Sequence, residues 1–154
     1  VKTWITSDHH FSHQKLVEVR GFKSVDEMNE AMIKAWNDTV SPKDKIYHLG
    51  DFCLGGQDKI HIAQRLNGNK ALILGNHDYP NAWDEYRKYF KVLPYHEVDG
   101  CLLSHYPVHK VQQYRYRKNI HGHIHTGKID DPWYVNVCVE QNNYKPFNLL
   151  EVIQ

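Results

Sequence analysis

Lys45-Ile46-Tyr47-His48-Leu49-Gly50-Asp51 sets the pattern that recurs along this chain. A short run rich in β-branched and aromatic residues stops at a glycine, and a carboxylate follows at once. That reads as a β-strand delivering an acidic side chain just past its C-terminal end. The alternating run Lys2 to Ser7 ends at Asp8-His9-His10, and the apolar run Ala71 to Leu74 ends at Gly75-Asn76-His77-Asp78. Cys101 to Ser104 ends at His105, and Asn119 to His121 ends at Gly122-His123-Ile124-His125. Open α/β sheets hold their ligands outside the C-terminal ends of the strands, so these blocks are expected to meet at one place.

Helical patterns separate the early strands. Ser24 is placed to cap a helix from about Val25 to Asn37, with Val25, Met28, Met32, Ala35 and Trp36 on one face. A second helix is expected over Asp58 to Leu66, stopped by Asn67-Gly68. A third is expected from Pro80-Asn81, with Trp83, Tyr86 and Phe90 on one side. Later segments read as strands: Val92 to Tyr95, Trp133 to Val139 and Phe147 to Ile153. Helices interleaved with strands, then strands alone, predict an α/β fold of two packed sheets flanked by helices. No repeat, low-complexity tract or linker breaks residues 1–154, so a single domain is expected.

Bulk properties narrow the classes. The formal net charge is +1, which argues neither for nor against nucleic acid. No apolar stretch is as long as a membrane span, no signal-peptide pattern opens the chain, and no obligate protein partner is evident. Cys53, Cys101 and Cys138 are far apart and odd in number, which suits core residues in a reducing compartment and makes the cytoplasm the expected location. Histidine is the unusual count, at 12 of 154 residues.

Several of these histidines stand beside Asp or Asn at strand ends, where imidazole makes a metal ligand. In extended backbone, residues i and i+2 share a side, so Asp8 with His10 can grip one ion together, as can His123 with His125. Asp51 can give one oxygen to each of two ions, while Asn76 and His105 add a carbonyl oxygen and an imidazole. Such a set, without thiolate, suits two divalent ions; manganese is the expected metal, with Fe, Zn or Ni admissible. Two such ions neutralise phosphoryl oxygens and activate water, so attack of a metal-bound hydroxide on a phosphate ester is the expected chemistry. His77 is then placed to protonate the leaving group, with Asp78 orienting its ring.

The blocks Asp8-His9-His10, Gly50-Asp51, Gly75-Asn76-His77-Asp78, His105 and Gly122-His123-Ile124-His125 resemble the signature of the calcineurin-like metallophosphoesterases. The stretches Ser7-Asp8-His9-His10-Phe11-Ser12-His13 and His48-Leu49-Gly50-Asp51-Phe52 are similar to the short, capless members from bacteria and phages. The resemblance implies a four-layer sandwich, two mixed sheets flanked by helices, known as the metallophosphatase fold. It implies one metal on Asp8, His10, Asp51 and His125, a second on Asp51, Asn76, His105 and His123, and a catalytic His77. Phe52-Cys53-Leu54-Gly55 departs from the pattern, since many members carry Asp or Asn shortly after the Gly-Asp pair.

Other residues invite a substrate role. His13 lies three residues after a ligand. Arg20 could fork a phosphate. Arg115 and Arg117, in the run Tyr114-Arg115-Tyr116-Arg117-Lys118, interleave with aromatics as nucleic-acid surfaces do. Histidines 9, 48, 61, 96 and 109 read as core or surface residues. The leading expectation is hydrolysis of a small or nucleotide-like phosphodiester or phosphomonoester. A nuclease acting on single-stranded ends is the alternative that the basic run suggests. A non-enzymatic protein-binding scaffold would have lost His77 or several ligands, and this chain retains them.

Overall fold

The computed structural model describes residues 1–154, the Gln57 side chain excepted. In chain order the strands are β1 (Thr3–Thr6), β2 (Lys45–His48), β3 (Asn69–Ile73), β4 (Lys91–Leu93), β5 (His96–Val98), β6 (Cys101–Ser104), β7 (Lys118–His121), β8 (Tyr134–Asn136) and β9 (Phe147–Asn148). The helices are α1 (Gln14–Val19), α2 (Val25–Thr39), α3 (Gln57–Ile60), α4 (Trp83–Tyr86) and α5 (Leu149–Ile153). One sheet runs β4-β3-β2-β1-β9, parallel except for β9, and the other runs β5-β6-β7-β8, parallel except for β5. Two mixed sheets with flanking helices are the expected α/β architecture.

Alternation along the strands sorts side chains to two sides of the first sheet. Ile5, Leu49 and Ile73 face Leu103 and Ile120 of the second sheet, and Val137 just past β8, and form the core between the sheets. Ile46 and Leu72 face the other way, onto Met28, Met32 and Trp36 of α2. As expected, the Ser24 hydroxyl caps α2 by accepting the Glu27 N–H at 3.0 Å. Trp36 is fully buried and its indole N–H reaches the Asn67 carbonyl at 2.9 Å, tying the helix to the loop before β3. Outside the second sheet, Leu102, Tyr116 and Trp133 form a smaller cluster under a 3₁₀ turn at Lys110–Tyr114.

Several expected elements are shorter than their patterns. The helix expected over Asp58 to Leu66 is α3 followed by a 3₁₀ helix at His61–Arg65, and the one from Pro80 begins as a 3₁₀ turn before α4. The strand expected over Phe147 to Ile153 pairs for two residues only. There the Asn148 side chain accepts the Leu150 N–H at 3.1 Å and starts α5, whose Leu149 and Ile153, four apart, are buried. The run Trp133 to Val139 yields only β8, because the Asn136 side chain accepts the Cys138 N–H and turns the chain into a 3₁₀ helix at Val139–Asn142. Strand β4 starts one residue early and stops before Pro94, which lacks a donor for the ladder. β5 and α1 had no expected counterpart.

Asp44 fastens the start of the first sheet. Its carboxylate accepts the Lys2 N–H at 2.9 Å, the Trp4 indole N–H at 2.9 Å and the Ser41 N–H at 3.0 Å. These bonds, led by that from Lys2, hold its pKa far below the usual carboxylate range. A depressed pKa in the folded state adds stability above the ordinary value, and that stability fades as pH falls toward the folded value. Asp44→Asn should therefore lower the urea midpoint at pH 7, and its gap from wild type should narrow progressively below about pH 4. A gap that stays constant across this range would refute the assignment.

Candidate metal centre

All five blocks do meet beyond the C-terminal ends of β1, β2, β3, β6 and β7, but on backbone that is not extended. Asp8, His10, Asp51, His123 and His125 have φ of 58°, 49°, 56°, 72° and 50°, in the left-handed region. Same-side alternation therefore does not apply, and it pairs His123 with His125 incorrectly. Their rings diverge: His125 joins Asp8 and His10, while His123 joins Asp51 and His105. Such close turns need glycine. A Cβ at Gly122 would collide with the Ser7 hydroxyl and the Asp8 carboxylate, and Gly50, at φ 104°, passes against the Gly75 backbone.

On one side of the centre, His10 Nε2 lies 3.5 Å from Asp8 Oδ1 and 3.5 Å from Asp51 Oδ2. His125 Nε2 lies 3.7 Å from the same Asp8 oxygen. On the other side, His105 Nε2 lies 3.4 Å from Asp51 Oδ2, 2.9 Å from Asn76 Oδ1 and 3.1 Å from His123 Nδ1. The oxygen Asp51 Oδ2 thus stands between the two groups.

The chemistry of this donor set fits divalent cations. His105 Nδ1 is 2.8 Å from the Leu49 carbonyl and His125 Nδ1 is 2.8 Å from Glu140 Oε1, so each Nδ1 carries the proton. In the neutral rings both Nε2 atoms are lone pairs aimed inward. Asp8 Oδ1 and His10 Nε2 are buried with no hydrogen-bond partner. Lone pairs crowded together with no donor among them are costly unless a cation takes their place at the centre. Burial opposes ionisation of Asp8, yet His10 and His105 when their rings are protonated, with the Ser7 hydroxyl and the His123 N–H, outweigh it and hold the carboxyl well below its usual range, so protons compete with cations for the same inward lone pairs. Burial opposes ionisation of Asp51 as well, and protonated His105 with the His77 N–H lowers its pKa, so both core carboxylates are poised as anions.

The other ends of the ligands are pinned by residues without an obvious signal in the sequence. Asp8 Oδ2 accepts from the Ser7 hydroxyl, the Cys138 thiol at 3.3 Å and the His123 N–H at 2.8 Å. Glu140 holds His125, a carboxylate–histidine pair that fixes both tautomer and ring angle. It fell just past an expected strand, where nothing set it apart from a solvated acid.

The expected substrate residues separate. Arg20 forks no phosphate: its side chain is 2% exposed and donates to the His9 carbonyl at 2.6 Å, the Asp8 carbonyl at 2.8 Å and Glu140 Oε1 at 2.8 Å. It pins the ligand turn and the residue that holds His125. Arg115 and Arg117 do not reach the centre either. They precede β7, whereas the ligands follow it, and Arg117 pairs with Asp99 at 3.0 Å while Arg115 lies over the Tyr116 ring. His13 does border the centre, with Nδ1 3.3 Å from His10 Nδ1 and its ring 6.1 Å from that of His77. Burial first, then His10 and His77, lower its pKa to about 4.

His77 joins His10 and Asp51 in a third cluster, its backbone N–H donating to Asp51 Oδ1 at 2.8 Å. Asp78 does not orient its ring. The Asp78 carboxylate is buried and accepts from the N–H groups of Asp51, Phe52 and Gly75 and from the Tyr86 hydroxyl, at 2.7 to 3.0 Å. It locks the Gly50-Asp51 turn to the Gly75-Asn76 turn. The nearest polar partner of the His77 ring is the Tyr79 hydroxyl, 3.5 Å from Nδ1.

The chain belongs to the calcineurin-like phosphoesterase family, whose sequence profile matches residues 1–150. It is 33% identical to an uncharacterised protein of Methanocaldococcus jannaschii, over 96% of this chain and 87% of that one. It is 32% identical to the gene 66 protein of Mycobacterium phage L5, over 82% of this chain and 79% of that one. The crystal structure of a protein of unknown function from Aquifex aeolicus matches with a TM-score of 0.77 at 25% identity, covering 98% of this chain and 97% of that one.

If Arg20 is a pin, its loss should act on stability. Arg20→Ala leaves Glu140 buried without its countercharge and should cost about 3–5 kcal/mol in urea denaturation, as broken buried pairs do. A variant as stable as wild type, with only a raised KM, would restore the phosphate-fork role.

Proposed function

We propose that this protein is a dinuclear, metal-dependent phosphoric ester hydrolase acting on a small phosphomonoester or phosphodiester. The observation that carries the proposal is the position of Asp51 Oδ2, 3.5 Å from His10 Nε2 on one side and 3.4 Å from His105 Nε2 on the other. One carboxylate between two clusters of inward lone pairs suits two cations sharing a ligand. Asp8, His10, Asp51 and His125 would hold one ion, and Asp51, Asn76, His105 and His123 the other, with manganese the first metal to test. When bound, the ions would supply neutralisation of the phosphoryl oxygens and activation of water.

The protein's own part is to position and to deliver a proton. His77, at the edge of the centre and edge-on to His10 at 5.2 Å between rings, is assigned to protonate the departing oxygen. His13, on the same rim, is assigned to contact the substrate. The nuclease alternative rested on the Tyr114–Lys118 run, which leads into the start of β7, the end opposite the ligands, and so gives that alternative no support. The full set of ligands favours an enzyme over a scaffold.

Two experiments test this. Metal analysis of the Mn²⁺-saturated protein should find two ions per chain, and Asp51→Asn should weaken both sites together. At most one ion in the wild type would overturn the dinuclear reading. Separately, His77→Ala should lower turnover by roughly 10²–10⁴-fold with metal content intact. The loss should be smaller for nitrophenyl esters, whose leaving group needs little protonation, and equal losses on good and poor leaving groups would reject the general-acid role.

A further inference from the structure

At the opposite pole from the metal centre, a cavity of about 450 Å³ opens at the end of the first sheet where β2, β3 and β4 begin, beside His96 of the second sheet. Its floor is one face of the first sheet. The register pairs Lys45 with Asn69, Tyr47 with Ala71, Ala71 with Lys91 and Ile73 with Leu93, so these residues share that face. Further along the strands the same face packs the core between the sheets, through Ile5 and Ile73. Cations at Lys45 and Lys91 therefore break the apolar pattern of an inward face at its open end. His96 of β5 closes one wall, its ring stacked on Tyr47 with 5.3 Å between centroids and 26° between planes.

The charges have no internal use. Among the described residues, the lysines paired with carboxylates are Lys34, Lys59, Lys88 and Lys110, not Lys45 or Lys91. The nearby Asp44 spends its carboxylate on Lys2, Trp4 and Ser41. Lys70, also on the lining, is tied to the Leu66 and Gly68 carbonyls. Lys45 and Lys91 are two strands and two residues apart, roughly 12 Å between Cα atoms from sheet spacings. Two extended lysine side chains can close that span on one phosphate-sized anion.

A free phosphate would leave most of the cavity empty. Its volume lies in the range of small-molecule sites, and Tyr47, His96, Ala71 and Leu93 offer an aromatic and apolar wall beside the cations. We propose that this cavity binds a phosphorylated aromatic small molecule of the nucleotide class, its phosphate between Lys45 and Lys91 and its ring against the Tyr47–His96 wall. The site is separate from the metal centre, since Lys45 opens β2 and Asp51 follows its end, roughly 15 Å or more away by strand rise.

Calorimetric titration of the Mn²⁺-loaded protein tests this, with the phosphonate analogue of adenosine monophosphate as probe, in which carbon replaces the scissile ester oxygen. The expected result is a binding event that survives Asp51→Asn and weakens by about tenfold or more in Lys45→Gln/Lys91→Gln, the loss expected for charge-assisted contacts. Inorganic phosphate alone should bind more weakly, and Tyr47→Leu should weaken the analogue but not phosphate. The double lysine variant should hydrolyse nitrophenyl esters as wild type does. Binding lost in Asp51→Asn yet unchanged in the lysine variant would mean that the probe sees only the metal centre, and would overturn the proposal. So would no binding at all, or equal affinity for phosphate and analogue. Because heat is read rather than turnover, the result stands apart from that of the hydrolase assays.

Discussion

The Asp51 carboxylate stands in a buried place where almost every neighbouring side-chain atom is an acceptor. His10 and His105 offer it ring nitrogens at 3.5 and 3.4 Å, and the Asp8 carboxylate lies across the same cluster. Unpaired, such an arrangement opposes folding, because buried lone pairs without donors lose hydration and gain nothing in return. Everything around the centre is arranged to hold that crowd in place from behind. The far ends of four ligands meet fixed groups: His105 the Leu49 carbonyl, His125 the Glu140 carboxylate, Asp8 the Ser7 and Cys138 side chains, and Asp51 the His77 N–H. The inward ends are left free, which is what a cation site requires.

The backbone carries part of the cost. Five ligand-block residues in the left-handed region cost about 1–2 kcal/mol each for ordinary side chains, less for Asp. Together that is comparable with the whole net stability of a domain, about 5–15 kcal/mol. Two buried ionic or polar anchors offset it. The Asp78 carboxylate gathers the N–H groups of Asp51, Phe52 and Gly75, donors that two tight turns would otherwise leave orphaned. Arg20 does the converse, collecting the carbonyls of Asp8 and His9 on the neighbouring turn. One anion for the N–H groups and one cation for the carbonyls thus hold the two turns that bring Asp8 and Asp51 together. Phe52, which opens the stretch that departs from the resembled pattern, is fully buried and supplies an N–H to Asp78, so the departure does not disturb the turn.

What could be read from the sequence follows the range of the forces involved. Strand-then-ligand blocks were legible because alternation and a following glycine are local signals, and so was α2, with its cap and its buried stripe. The splitting of His123 from His125 was not legible from spacing, because alternation holds only for extended backbone and these residues are left-handed. The roles of Arg20, Asp78 and Glu140 were hidden for another reason. Arg20 and Glu140 are 120 residues apart, and Asp78 reaches 26 and 27 residues back, so each bond is set by the sheet topology. Short elements such as α3, α5 and β9 failed where one asparagine or a few neighbours outweighed a weak pattern.

His9 and His48 show how the same logic extends beneath the centre. The Gly50 N–H donates to His48 Nδ1 at 3.1 Å, so the proton of the neutral ring lies on Nε2, which donates to His9 Nδ1 at 2.9 Å. His9 is then protonated at Nε2, an atom with no partner in the structure. Burial lowers the pKa of both rings, that of His48 to about 3, so neither adds positive charge under a site built for cations. An apolar residue at position 48 would strand the Gly50 N–H in the turn that presents Asp51, at a cost of about 1–3 kcal/mol. A cationic one would repel the ions that Asp51 is placed to share. A neutral imidazole chain avoids both, with the unsatisfied group displaced from the ligand turn to the far nitrogen of His9, whose ring stacks on that of Phe11.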